Sequence, residues 1–172
     1  MPDIPIAYCQ ECMTGFEYAF AGLLISEGFV EEGLTIIRAV RDRYDGKKRN
    51  PYNEIECGSN YARPMAAFAL LPIFSGFEYD MTKGHIGFAP IVKGDFKCLW
   101  SVGGSWGEIS RCGGEMTLTV KGGEIVLCSF GLDRDQAVSS VTIDGKATEY
   151  MKKGRVITFE KTGINKSLRV VF

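Results

Sequence analysis

The sequence predicts an α+β protein, with helices in the first half of the chain and antiparallel strands in the second. Apolar residues recur at helical spacing after Thr14, and residues 60–74 form an almost continuous apolar stretch. Beyond Asp80 the pattern changes to short alternating segments separated by glycine pairs. A period of 3.6 residues is typical of helices and a period of two is typical of strands. With 172 residues, 45% of them apolar, the chain can form one packed core or two small units.

The first two helices are predicted to form an antiparallel pair. Thr14 and Glu17 have the spacing of a capping box, in which the glutamate reaches back to a free backbone N–H. We favour this role for Glu17 over a second one, in which its carboxylate lies in a substrate pocket. Gly28 ends the first helix, and a second helix follows over residues 30–44. The apolar positions of the pair are Phe16, Phe20, Leu23, Leu24, Leu34, Ile37 and Val40.

A long loop and an apolar helix come next. Residues 45–59 contain too few periodic apolar positions for a regular element, and a loop of this length is often functional. Residues 60–74 are apolar nearly all round, which predicts a helix surrounded by protein. Because three helices cannot bury such a surface among themselves, the N-terminal half is expected to need further helical neighbours and to expose apolar surface without them.

Seven strands are predicted in the second half, arranged as an antiparallel meander with tight glycine turns. Trp100 and Trp106 are expected to fill the face of this sheet. The predicted strands cover residues 96–102, 106–111, 116–120, 125–130, 138–143, 156–159 and 168–172.

The loop before the apolar helix carries the candidate binding residues. Glu54, Glu56, Asn60 and Arg63 place carboxylate, amide and guanidinium groups close together in the sequence. Sugar hydroxyls both donate and accept hydrogen bonds, so such a group of side chains suits a carbohydrate. Alternatively, Arg63 pairs with one of the glutamates and anchors the loop on the helix. The spacing leaves both interpretations open.

Composition excludes several classes of function. Basic residues number 20 and acidic residues 21, which argues against a nucleic-acid partner. No apolar run reaches the roughly 18 residues of a membrane span, and the first residues do not form an export signal. We therefore expect a cytoplasmic protein whose six cysteines are reduced.

No metal or cofactor is predicted. Cys9 and Cys12 form a CxxC pair, but His85 is the one histidine and no second ligand pair completes a zinc site. Redox chemistry at this pair is disfavoured because its surroundings are helical rather than a strand followed by a helix.

Several sequence blocks resemble glycoside hydrolase family 116, which contains bacterial β-glucosidases and the non-lysosomal glucosylceramidase. The blocks are CMTGFEY, RDRYDG, RNPYNE and ECGSNYAR, within residues 9–80, and the segment FKCLWSVGGSWGEISR is similar more weakly. The resemblance implies that residues 1–80 are the last helices of an (α/α)6 barrel and that residues 81–172 are a β region packed on it.

The resemblance also implies a function. In the family, the residues at the positions of Glu54 and Arg63 bind glucose hydroxyls, and the nucleophile and the acid/base lie upstream of the matching blocks. The chain is therefore expected to be the C-terminal portion of a retaining β-glucosidase-like hydrolase, with sugar-binding residues and no catalytic pair. Its expected partners are a β-glucoside or related glycan and the missing part of the barrel. A second hypothesis is a non-catalytic module that binds carbohydrate or completes a barrel with another chain.

Overall fold

The computed structural model describes residues 12–52 and 64–172 and divides the chain into two compact units, residues 1–73 and 74–172. The described helices are α1 (Thr14–Ser26), α2 (Val30–Arg43), α3 (Pro64–Phe68) and α4 (Leu70–Ser75), and α4 lies at the boundary between the units. None of the helices in the described ranges is both long enough and apolar enough to span a membrane.

Helices α1 and α2 pack closely, as predicted, but through a different face of α1. Ala21 and Ile25 are fully buried, and a side chain on Gly33 of α2 would collide with both residues. By contrast Phe16 is 74% exposed, and Phe20 and Leu23 are also exposed on α1. The expected exposed apolar surface is thus present on this helix.

The capping role predicted for Glu17 is wrong. Helix α1 begins one residue after Met13, which makes no side-chain capping hydrogen bond. Glu17 instead forms an ion pair with Arg43 of α2. The carboxylate therefore ties the two helices together.

The predicted long helix is two short ones. Ala69 separates α3 from α4, and the side chain of Phe68 is 60% exposed. Leu71 is exposed as well, so the expectation of a helix buried on every side is wrong in the described part of this segment.

The second unit contains eleven described strands in two sheets. One sheet has the order β1-β2-β6-β10-β9, and the other has the order β3-β4-β5-β11-β7-β8. All pairings in them are antiparallel except that of β2 with β6. The strands are β1 (Glu78–Asp80), β2 (His85–Gly87), β3 (Phe96–Val102), β4 (Ser105–Cys112), β5 (Glu115–Gly122), β6 (Ile125–Gly131), β7 (Ser140–Ile143), β8 (Lys146–Ala147), β9 (Met151–Lys153), β10 (Val156–Ile164) and β11 (Ser167–Val171).

The two sheets share one hydrophobic core and so form a sandwich. Ile86 and Phe130 of the first sheet and Ile109 and Leu118 of the second are fully buried in the same cluster. Their neighbours in sequence point outward, because successive side chains of a strand alternate between its faces. Trp100 joins this core, but Trp106 is 51% exposed, so the expectation that both tryptophans fill the sheet is wrong for Trp106.

The structure contradicts the predicted fold class of partial (α/α)6-barrel helices followed by an antiparallel β region. About 40% of the described residues are in strands, and the helices are few and short. The physical reason is that helical periodicity ends near residue 75, and the rest of the described chain buries its apolar residues between two sheets. The seven predicted strands are present, but β6 and β10 belong to a different sheet from β3, β4 and β5, so the simple meander is wrong.

Asp144 fixes the turn between β10 and β11 from a distant loop. Its carboxylate accepts backbone N–H groups of Asn165, Lys166 and Ser167 at 3.2, 2.9 and 2.9 Å. Burial raises the pKa of Asp144, but these three hydrogen bonds outweigh it and hold the pKa below 3.8. Asp144 also has a φ of 50°, a conformation that aspartate tolerates better than most residues.

We expect Asp144→Asn to lower the free energy of unfolding by about 1 kcal/mol at pH 7. Because folding lowers the pKa of this carboxyl, its contribution is present above the unfolded value and is lost as the pH falls through the folded value. The difference in unfolding free energy between the wild type and Asp144→Asn should therefore narrow as the pH falls below 3.8, the ordinary pKa of an aspartate. Urea unfolding at several pH values measures this difference in unfolding free energy. A difference that does not change with pH would contradict the role given to the Asp144 carboxylate.

Candidate functional site

A cleft of about 480 Å³ lies at one end of the β sandwich, and we call it the polar cleft because six charged side chains line it. Three segments form its walls: residues 90–95 after β2, residues 112–115 at the turn between β4 and β5, and residues 133–136 after β6. Concave sites with a few converging polar groups are the usual places for small ligands.

Arg111, at the end of β4, holds these walls together. Its guanidinium donates to the carbonyl oxygen of Val92 at 2.6 Å, to that of Gly94 at 2.7 and 3.1 Å, and to Oδ2 of Asp133 at 2.8 Å. The side chains of Arg111 and Asp133 are only 16% and 10% exposed. The rigid fork of an arginine can make several such bonds at once, so one residue fixes the position of both loops.

Two buried polar atoms of the cleft have no hydrogen-bond partner among the described residues. One is Oδ1 of Asp133, an acceptor, and the other is Nε2 of Gln136, a donor. The orientation of the Gln136 amide is set by its oxygen, which accepts Nε–H of Arg134 at 2.8 Å. An unsatisfied buried polar group costs about 1–3 kcal/mol, so a ligand that supplies both a donor and an acceptor gains that energy.

The charges that line the cleft balance. Three are basic (Lys93, Arg111 and Arg134) and three are acidic (Asp95, Glu115 and Asp133). Such a lining favours a neutral polar ligand over a phosphate or a metal ion, because neither sign of charge dominates. In addition, the described part of the chain contains no group of three histidine, cysteine, aspartate or glutamate side chains that could hold a metal ion.

The thiol at the rim of the cleft is not activated. Cys112 donates to Oδ2 of Asp95 at 3.2 Å. This hydrogen bond and the negative charge of Asp95 raise the pKa of Cys112 above 9.0. Since the thiolate is the reactive form of cysteine, this arrangement opposes nucleophilic or redox chemistry at the cleft.

A second depression, of about 760 Å³, is lined by β8, β9, β10 and the segment between β8 and β9. It is larger, but none of the unpartnered buried polar atoms found in the described residues belongs to its lining. Size alone does not make a binding site, so we take the polar cleft as the candidate.

The structure does not describe most of the residues predicted as the sugar site. Glu54, Glu56, Asn60 and Arg63 lie outside the described residues, as do Cys9 and Cys57. Glu17 is described and is paired with Arg43. The prediction for Glu54 and Arg63 therefore stays a prediction.

Sequence reasoning missed the cleft because its parts are far apart in the chain. Arg111 and Asp133 are separated by 22 positions, and nothing in the sequence links them. A weak signal is present in the three charged residues 133–135 and Gln136, which follow the apolar strand β6 after one residue. Residues at the end of a buried strand often line a site, since the rigid strand positions them.

No protein-family model matches this chain, and no curated protein is significantly similar to it.

Proposed function

We propose that this chain binds carbohydrate and does not hydrolyse it, as a part of a β-glucosidase-like glycoside hydrolase. Two lines support the proposal. The blocks between residues 9 and 80 resemble glycoside hydrolase family 116, at positions downstream of the catalytic pair of that family. Independently, the polar cleft of the β sandwich has the chemistry of a site for a hydroxyl-rich ligand.

The observation that carries the proposal is that one cleft contains both a hydrogen-bond acceptor and a hydrogen-bond donor that have no partner among the described residues. A hydroxyl group donates one hydrogen bond and accepts others, so sugar hydroxyls can satisfy both Oδ1 of Asp133 and Nε2 of Gln136. Both residues line the cleft, but both atoms are enclosed, so binding requires a local rearrangement of these side chains. Among the described residues, the hydrogen bond from Nε–H of Arg134 to Oε1 of Gln136 holds the glutamine side chain.

Calorimetric titration of the full chain with methyl β-glucoside tests this function. We expect weak, saturable binding, with a dissociation constant on the order of 1 mM. Gln136→Met keeps the length of the side chain and removes the donor, and it should weaken binding about 5- to 10-fold. Lys161→Met, at an exposed position of β10, is the control and should bind as the wild type does.

The same titration separates the two candidate sites. Loss of binding in Gln136→Met with normal binding in Glu54→Gln supports the cleft. The reverse result supports the site implied by the family resemblance and contradicts the cleft. No binding in any variant, including the wild type, would contradict the proposed carbohydrate-binding function.

A hydrolysis assay tests the non-catalytic part of the proposal. We expect no release of p-nitrophenol from p-nitrophenyl β-glucoside by this chain alone. Turnover that disappears in Glu54→Gln would overturn that part, because it would give Glu54 a catalytic role.

A further inference from the structure

A chain of three hydrogen-bonded side chains lies on the five-stranded sheet, outside the cleft. Nδ1 of His85 is 2.9 Å from Oγ of Ser129, and Nε2 of His85 is 3.4 Å from Oε1 of Glu78. The three residues lie on β2, β6 and β1, and His85 and Ser129 are directly opposite in the parallel register. Ile86 and Phe130 are fully buried in the core, so alternation directs the neighbouring side chains of His85 and Ser129 to the outer face. Glu78 lies on the same face, because it pairs directly with Gly87, two residues after His85.

Two glycines make room for this cluster. A Cβ atom on Gly87 would lie 2.5 Å from Oε1 of Glu78, and one on Gly131 would lie 2.6 Å from the same oxygen. These glycines face each other across β2 and β6. The carboxylate of Glu78 therefore lies against the backbone of Gly87 and Gly131, next to the imidazole of His85.

Arg155 keeps Glu78 ionised. Its Nη2 donates to Oε2 of Glu78 at 2.7 Å, and its Nη1 donates to the carbonyl oxygen of Leu132 at 3.2 Å. Burial raises the pKa of Glu78, but the hydrogen bond and charge of Arg155 outweigh it and hold that pKa below 4.5. An ionised Glu78 accepts Nε2–H of His85, which leaves Nδ1 as the acceptor for the Ser129 hydroxyl.

We propose that Ser129 is a nucleophile for acyl transfer from small carboxylic esters, with His85 as its general base and Glu78 as the residue that positions the imidazole. A nucleophile bonded to a base that is oriented by a third group is the diagnostic arrangement for such chemistry. Ser129 and Glu78 contact different ring nitrogens of His85. One nitrogen can therefore take the proton of the serine while the other keeps its hydrogen bond to the carboxylate. The cluster is partly exposed, since the side chains of His85 and Glu78 are 20% and 36% exposed and Ser129 is half-buried.

The reaction balances without a cofactor. Oγ of Ser129 bonds to the ester carbonyl carbon while its proton moves to Nδ1 of His85. The bond from that carbon to the leaving alcohol oxygen then breaks, and the oxygen takes the proton from His85. Water attacks the acyl-serine by the same route in reverse, which releases the carboxylic acid and restores Ser129.

Labelling of the full chain with a small fluorophosphonate tests the nucleophile, because this reagent modifies activated serines with loss of fluoride. Mass spectrometry of peptides should locate the label on Ser129 and not on Ser101, which is exposed on β3 and serves as the reference for an unactivated serine. His85→Gln removes the base and should slow labelling of Ser129 about 100-fold. No label on Ser129, equal labelling of Ser101, or an unchanged rate in His85→Gln would overturn the proposal.

The positioning role of Glu78 has a separate readout. His85 is the one histidine in the chain, so its ring nitrogens give unambiguous NMR signals. In the wild type we expect the proton on Nε2, and in Glu78→Gln we expect a shift toward a mixture of the two tautomers. A tautomer that does not change, in a variant that remains folded, would show that Glu78 only supports the sheet.

Discussion

Replacing Arg111 with methionine should lower the free energy of unfolding by about 3–5 kcal/mol, because it leaves the Asp133 carboxylate buried without its cation. Arg111 also supplies hydrogen bonds to the carbonyl groups of Val92 and Gly94, which hold the loop before β3. Urea denaturation followed by circular dichroism measures the change.

Two further variants show how much of the stability loss in Arg111→Met comes from the buried charge that remains and how much from lost packing. Arg111→Met combined with Asp133→Leu removes both charges and should recover part of the lost stability, because well-packed apolar residues can replace a buried ion pair. Arg169→Met breaks the more exposed pair with Glu115 and should cost less than about 1 kcal/mol. Equal losses in the Arg111 and Arg169 variants would contradict the organising role of Arg111.

Gly107→Ala should destabilise the sandwich by about 3 kcal/mol, since a side chain has no space at this position. A Cβ atom there would lie 1.9 Å from the backbone oxygen of Thr119, on the neighbouring strand β5. Position 107 is also where the register between β4 and β5 shifts, so the strands cannot separate locally without losing ladder hydrogen bonds.

Gly103→Ala is the matched control for this substitution. A Cβ atom at Gly103 meets no atom within 4 Å, and its backbone is not in the left-handed region. The control should change the melting temperature by no more than a few degrees. A Gly107→Ala protein as stable as Gly103→Ala would mean that the two strands are not paired in this register.

The longer elements of the sandwich could be predicted from local patterns, but the short strands and the pairing of the strands could not. The β3 strand, for example, has the predicted limits because the alternation from Phe96 to Val102 ends at a glycine pair. Sheet membership depends instead on pairings such as β2 with β6, whose residues are more than 40 positions apart. The buried face of α1 also cannot be predicted from the pattern, because Phe16 is as apolar as the residues that are buried and only the tertiary contacts of the helix decide between them.

The candidate cleft could not be predicted, because its chemistry arises from tertiary contacts. Asp133 is an ordinary charged residue in the sequence, and it becomes notable only when Arg111 occupies one of its oxygens and burial encloses the other. The same holds for His85. In the sequence it is a single histidine with no obvious partner, and only the sheet brings it between Ser129 and Glu78. Exposed and buried polar residues look alike in a sequence when no partner is adjacent.

The most direct test of the carbohydrate-binding cleft is an NMR titration of the 15N-labelled chain with methyl β-glucoside, in which the side-chain NH2 signals of Gln136 are followed. The chain contains two glutamines, Gln10 and Gln136, so assignment needs one variant. We expect saturable shifts of the Gln136 signals, together with backbone shifts in residues 133–136. Unchanged Gln136 signals, or shifts confined to residues 54–63, would contradict binding at the cleft.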